Sequence, residues 1–93
     1  MAEKVRKHVY LSGRVQGVGF RASARRKAGE IGVKGWVRNL YDGRVEAVIE
    51  GNKTEVQKMV KYLRKGPSFA RVEDIEIHKE KYRDEFKNFT IRY

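Results

Sequence analysis

Gly35-Trp36-Val37-Arg38-Asn39-Leu40-Tyr41-Asp42-Gly43-Arg44-Val45-Glu46-Ala47-Val48-Ile49-Glu50 is the stretch on which the fold turns. Residues 35–40 and 44–50 each read as a strand, and Val45, Ala47 and Ile49 supply the inward face of the second. Between them, Asp-Gly signals a hairpin, because a tight turn there needs the positive φ angles that glycine adopts freely. A strand that runs straight into a hairpin leaves no room for a crossover helix. The sheet built around this pair is therefore mostly antiparallel.

Working outward, Val5, Val9, Leu11 and Val15 share one parity, with Arg6, His8, Tyr10 and Ser12 on the other. This alternation predicts a strand over residues 5–14 with one face buried. Ala24, Ala28 and Ile31 fall at i, i+4 and i+7 and predict a helix over 21–31, although Gly29 inside it costs roughly 1 kcal/mol relative to Ala. Downstream, Val56, Met59, Val60 and Leu63 form a helical stripe. Asn52 is positioned to cap that helix, with Glu55 three residues on as the capping-box acid. Gly66-Pro67 ends it. Residues 72–79 read as a fourth strand, and Phe89, Ile91 and Tyr93 alternate in a short last one. The order is β-α-β-β-α-β plus a terminal strand. It predicts an α+β ferredoxin-like sandwich, with two helices on one face of a mostly antiparallel sheet. With 93 residues, the expectation is one domain over 1–93.

Composition narrows the partners. Lys and Arg total 22 against 12 acidic residues, a net charge of +10 that attracts phosphates, nucleic acids and anionic membranes alike. Cysteine is absent, which removes thiolate metal sites, disulfides and Cys nucleophiles. No apolar run approaches the ~20 residues that span a bilayer. Residues 1–7 lack the apolar core of a signal peptide. A cytoplasmic protein with no membrane association is expected.

The chemistry concentrates in Gly13-Arg14-Val15-Gln16-Gly17-Val18-Gly19-Phe20-Arg21, between a strand and a helix N-terminus. The first amides of a helix are unpaired there, and its dipole favours negative charge. Gly17 and Gly19 let the backbone curl so that successive N–H groups share a concavity. Arg21 adds a planar fork for two phosphate oxygens. The spacing alone fits a phosphate cradle and an ordinary glycine-containing turn equally well. Gly17-Val18-Gly19-Phe20-Arg21-Ala22 also matches the dinucleotide fingerprint formally, with Asp42 about twenty residues beyond. The Asp-Gly hairpin and the chain length contradict that match. The phosphate loop that ends in Gly-Lys-Ser/Thr is absent.

The resemblance becomes specific when two motifs are taken together. The segment from Gly13 to Arg21 resembles the first signature of the acylphosphatase family. Gly35-Trp36-Val37-Arg38-Asn39, followed by Asp42-Gly43-Arg44-Val45-Glu46, resembles the second, and Phe89-Thr90-Ile91-Arg92-Tyr93 is similar to the family's closing strand. The resemblance implies metal-independent hydrolysis of acyl phosphates to carboxylate and inorganic phosphate, with no cofactor. It implies that Val15, Gln16, Gly17, Val18, Gly19 and Phe20 wrap the phosphoryl group with backbone donors. Arg21 would bind its oxygens and Asn39 would hold the attacking water. A monomer acting on a small acyl phosphate follows, with no obligatory nucleic acid.

Other residues read more plainly. His8 and His78 are expected to be surface or edge-packing histidines, and Met59 helix packing. Trp36 lines either the site or a sheet face. Arg25-Arg26-Lys27 and Lys58, Lys61, Arg64 and Lys65 read as solvated helix faces. The alternative class is a ferredoxin-like nucleic-acid-binding module using that basic surface. The aromatic Lys/Arg-Gly-Phe type of RNA motif is missing. Intact Arg21 and Asn39 disfavour an inactive domain, and the length of 93 residues leads to the expectation of a free-standing protein over a domain serving a carbamoyl-transfer enzyme.

Overall fold

The two hydrophobic periodicities become two layers in the computed structural model, which describes residues 3–93. The chain runs β1 (Lys4–Arg14), α1 (Phe20–Ile31), β2 (Lys34–Asn39), β3 (Val45–Asn52), α2 (Lys53–Lys65), β4 (Arg71–Glu80) and β5 (Phe89–Ile91). The sheet order is β4-β1-β3-β2-β5. Every neighbouring pair is antiparallel except β2 and β5, which run parallel. This is the ferredoxin-like arrangement, with an added edge strand.

Alternation decides which side of the sheet the helices cover. Val9 and Leu11 of β1 and Val45, Ala47 and Ile49 of β3 point to the helical layer. Phe20, Ala24 and Ala28 meet them from α1, and Val56, Met59 and Leu63 from α2. All are buried, and each large side chain contributes roughly 1.5–3 kcal/mol by leaving water. The hydroxyls of Ser23 and Tyr62 hydrogen-bond to each other and join the two helices.

Two local expectations need correction. The capping box at Asn52 does not form, since its side chain makes no cap hydrogen bond. β3 continues extended through Asn52 directly into α2, and the Lys53 amide donates to the Glu3 carbonyl at 2.8 Å. That backbone bond satisfies one of the orphan amides at the helix start, while the Asn52 Oδ1 stays buried without a donor. The hairpin itself forms where expected, Tyr41, Asp42 and Gly43 making a three-residue loop closed by the Leu40 amide on the Arg44 carbonyl at 2.8 Å, with positive φ at Gly43. Finally, the last strand stops at Ile91, short of Tyr93.

The opposite sheet face is covered too. β4 and β5 lie at opposite edges, so residues 81–88 must cross the sheet to join them. They pass over Glu50, whose carboxylate accepts the amides of Arg83 (2.8 Å) and Glu85 (3.2 Å). Consequently both faces of β3 are buried, including Glu46 and Glu50.

Candidate active site

The connection from β1 to α1 is only residues 15–19. Val15 anchors it, with its side chain buried in the core and its amide bonded to the Gly13 carbonyl at 3.1 Å. Gly17 (φ 73°) and Gly19 (φ 74°) both take the left-handed conformation. A Cβ on either would meet open space, so the backbone angle, not packing, demands glycine there. Glycines of this kind on either side of Val18 turn successive amides into one concavity. The next amide with a backbone acceptor is Ser23, which bonds Gly19 at 3.0 Å. Between Val15 and Ser23, among the described residues, no amide has a backbone partner outside the helix ladder. The first turn of α1 holds no acidic side chain, so nothing on the helix offsets the positive end of its dipole.

The residues singled out in the sequence divide by role. Gly17, Gly19, Phe20 and Arg21 line one cavity with Asn39, in a volume of about 180 Å³. Val15 lines it from the core side, and Phe20 is itself a buried core residue. Val18 packs half-buried against the core, outside the cavity lining. Gln16 is also outside it, and its side-chain amide donates to the carbonyls of Leu40 (2.8 Å) and Arg44 (2.9 Å). This ties the loop to the hairpin that follows Asn39, and it leaves Gln16 only its backbone amide to offer. Trp36 sits on the other sheet face between the guanidinium groups of Arg38 and Arg92, away from the cavity.

Among the described residues, two polar groups in the cavity have neither an ion-pair nor a hydrogen-bond partner. Arg21 forms no ion pair among the described residues, and its guanidinium lies 5.0 Å from the centre of the Tyr93 ring. The Asn39 Oδ1 is buried with no hydrogen-bond donor. An acceptor left in that state costs about 1–3 kcal/mol until something donates to it. Among the described residues, no Asp, Glu or His side chain lines the cavity. Ala22, Ile91 and Tyr93 complete the wall, and sequence reasoning placed none of them there. The alternation of Phe89, Ile91 and Tyr93 reveals a strand and is silent on its neighbour, and pairing with β2 is what brings this wall to Asn39.

The fold and this cavity define a ferredoxin-like α+β sandwich with unpaired donors at the first strand-to-helix junction. The sequence profile of the Acylphosphatase family matches residues 7–91, and the chain belongs to that family. It is 58% identical to the acylphosphatase of Roseiflexus sp. (strain RS-1), across 98% of both chains. The crystal structure of acylphosphatase from Bacillus subtilis superposes with a TM-score of 0.91 at 35% identity, covering 96% of this chain and 99% of that one. An acylphosphatase from Coxiella burnetii gives 0.90 at 37% identity, covering 96% and 93%. The chain is thus an enzyme that hydrolyses acyl phosphates to carboxylate and inorganic phosphate.

Proposed function

We propose that hydrolysis takes place in the cavity between residues 15–21 and Asn39. The observation that carries this reading is the meeting, in one small cavity, of an unpaired guanidinium, a run of free amides and an amide oxygen without a donor. The phosphoryl oxygens accept from the loop amides of residues 16–20 and from Arg21, whose fork holds two oxygens at once. Gln16 sets the distance between the loop and Asn39 through its bonds to the hairpin. A water donates one O–H to the Asn39 Oδ1, which aims its lone pair at phosphorus.

The bond from phosphorus to the acyl oxygen then breaks as the bond from the water oxygen forms. The acyl oxygen leaves as a carboxylate, whose conjugate acid has a pKa of about 4, so it needs no proton from an acid. One proton of the water passes to the phosphate. What the protein supplies is position and charge stabilisation in a loose transition state. No step calls on a metal ion or on a side-chain base. One domain acting as a cytoplasmic monomer suffices for this chemistry. Among the described residues, no helix is long and apolar enough to cross a membrane.

The test is hydrolysis of an aryl acyl phosphate in EDTA, comparing the wild type with Arg21→Gln and Asn39→Ala. The expected result is rapid wild-type turnover, abolished by the first substitution and cut about a hundredfold or more by the second. Asn39→Ala should still bind inorganic phosphate. Loss of phosphate binding together with rate would move Asn39 from holding the water to holding the phosphoryl group. Near-normal turnover in Arg21→Gln would remove the site from this cavity.

A further inference from the structure

A second, separate concavity lies between α2 and the strands β1 and β4. It is a groove of about 490 Å³ that shares no lining residue with the cavity at Arg21. Volumes of this order are typical of small-molecule sites, which combine an apolar lining with a few placed polar groups. Its floor is apolar: Val5, Val60 and Ile77 are half-buried against the core, beside fully buried Val56.

The rim is cationic and uncompensated. Lys7, Lys61, Arg64 and Lys79 all line the groove, and none forms an ion pair among the described residues. The acids nearby are already engaged. Glu3 pairs with Lys53 at 3.4 Å, and Glu80 with Arg6 at 2.8 Å and His8 at 2.7 Å. A bare anion would satisfy this rim and leave the floor in water. An uncharged chain would cover the floor and leave the cationic rim without a partner.

From this complementarity we propose that the groove binds a single-chain anionic amphiphile, with its alkyl chain along Val5, Val60 and Ile77 and its anionic head among Lys61, Arg64 and Lys79. Arg6 also lines the groove but is held by Glu50, Glu80 and Glu85, so it does not serve the head. The site is independent of the hydrolytic cavity.

The experiment uses octanoate as probe on the 15N-labelled protein, with inorganic phosphate in excess to occupy the cavity at Arg21. Octanoate should shift the amides of Val5, Val60 and Ile77 saturably, and bind at least tenfold tighter than acetate or 1-octanol. Lys61→Glu combined with Arg64→Glu should weaken octanoate at least tenfold, and so should Val60→Ser. Both variants should keep wild-type turnover of acyl phosphate. The proposal is overturned if no saturable shift occurs, or if the shifts centre on residues 17–21. It is overturned equally if acetate binds as tightly as octanoate. An oligonucleotide that displaces octanoate and binds Val60→Ser undiminished would assign the rim to a polyanion instead.

Discussion

The cavity at Arg21 and the helix-free face of the sheet are both polar, and they differ in whether their polar groups are matched. On the sheet face, Arg6 contacts Glu50 (3.4 Å), Glu80 (2.8 Å) and Glu85. His8 sits between Glu46 (2.6 Å) and Glu80 (2.7 Å), and Glu46 also accepts from Arg38 at 2.6 Å. In the cavity, Arg21 has an aromatic neighbour but no anion, and Asn39 has an acceptor but no donor. A matched network holds its own geometry, whereas an unmatched one is completed by what binds there. Substitutions in the first region should therefore change stability and leave the rate alone, and those in the second should do the reverse.

The largest effect should come from Arg21→Lys. A point charge cannot replace the fork, so kcat/KM should fall about a hundredfold to a thousandfold at an unchanged unfolding midpoint. Arg6→Met is the mirror experiment. It leaves the carboxylate of Glu50 buried without its cation, which should cost about 3 kcal/mol. Thermal unfolding should show a midpoint lower by about 12 °C or more in a chain of this size, with normal kcat in the folded fraction. A drop in kcat there would show that the two regions are coupled. Gly19→Ala should sit between them. The new methyl meets open space, so the cost is the left-handed backbone, about 1–2 kcal/mol, together with a rate loss of about tenfold as the amides turn.

The mildest expected effect is on pH dependence. Burial alone would raise the pKa of Glu46, but hydrogen bonds from His8 and Arg38 outweigh it and hold the carboxyl below its ordinary value. Glu80 is held low by His8 and then Arg6, and Glu85 by Arg6. A carboxyl depressed on folding stabilises the native state fully above its unfolded pKa, and this contribution is lost as pH falls through the folded one. Stability should accordingly be flat on this account above the carboxylate range and decline below about pH 4. In acid titrations followed by circular dichroism, Glu46→Gln should show a shallower decline. An unchanged slope would exclude Glu46 from the acid transition.

Much of this arrangement was legible in the sequence where short-range patterns carry it. The Asp-Gly hairpin, the Val56-Met59-Leu63 stripe and the glycines before Arg21 are local, and the structure places them as periodicity and backbone sterics require. Long-range matters were not legible. The capping bond expected at Asn52 does not form, and the helix-start amide of Lys53 is met instead by the Glu3 carbonyl, from far along the chain. His8 read as a plain strand histidine, since its carboxylate partners come from β3 and β4. Residues 81–88 show no periodicity, yet they cover the sheet by way of backbone bonds to Glu50. Tyr93 reaches the cavity only because β5 pairs with β2.

The central place of β1 has a kinetic consequence. Val9 lies between Ala47 on one side and Ile77 on the other, so both partners of this strand come from far along the chain. Neither pairing forms before a long loop is closed, and the entropy of closure is lost before the contacts compensate. Folding should be slow for a chain of 93 residues, in the millisecond-to-second range of sheet-dominated domains. α2 and the hairpin, which are local, should be present early and wait on β1. The cavity at Arg21, hung between the end of β1 and the end of β2, would then appear only with the completed sheet, so, on the proposed assignment of the site, recovery of activity should track the slowest refolding phase.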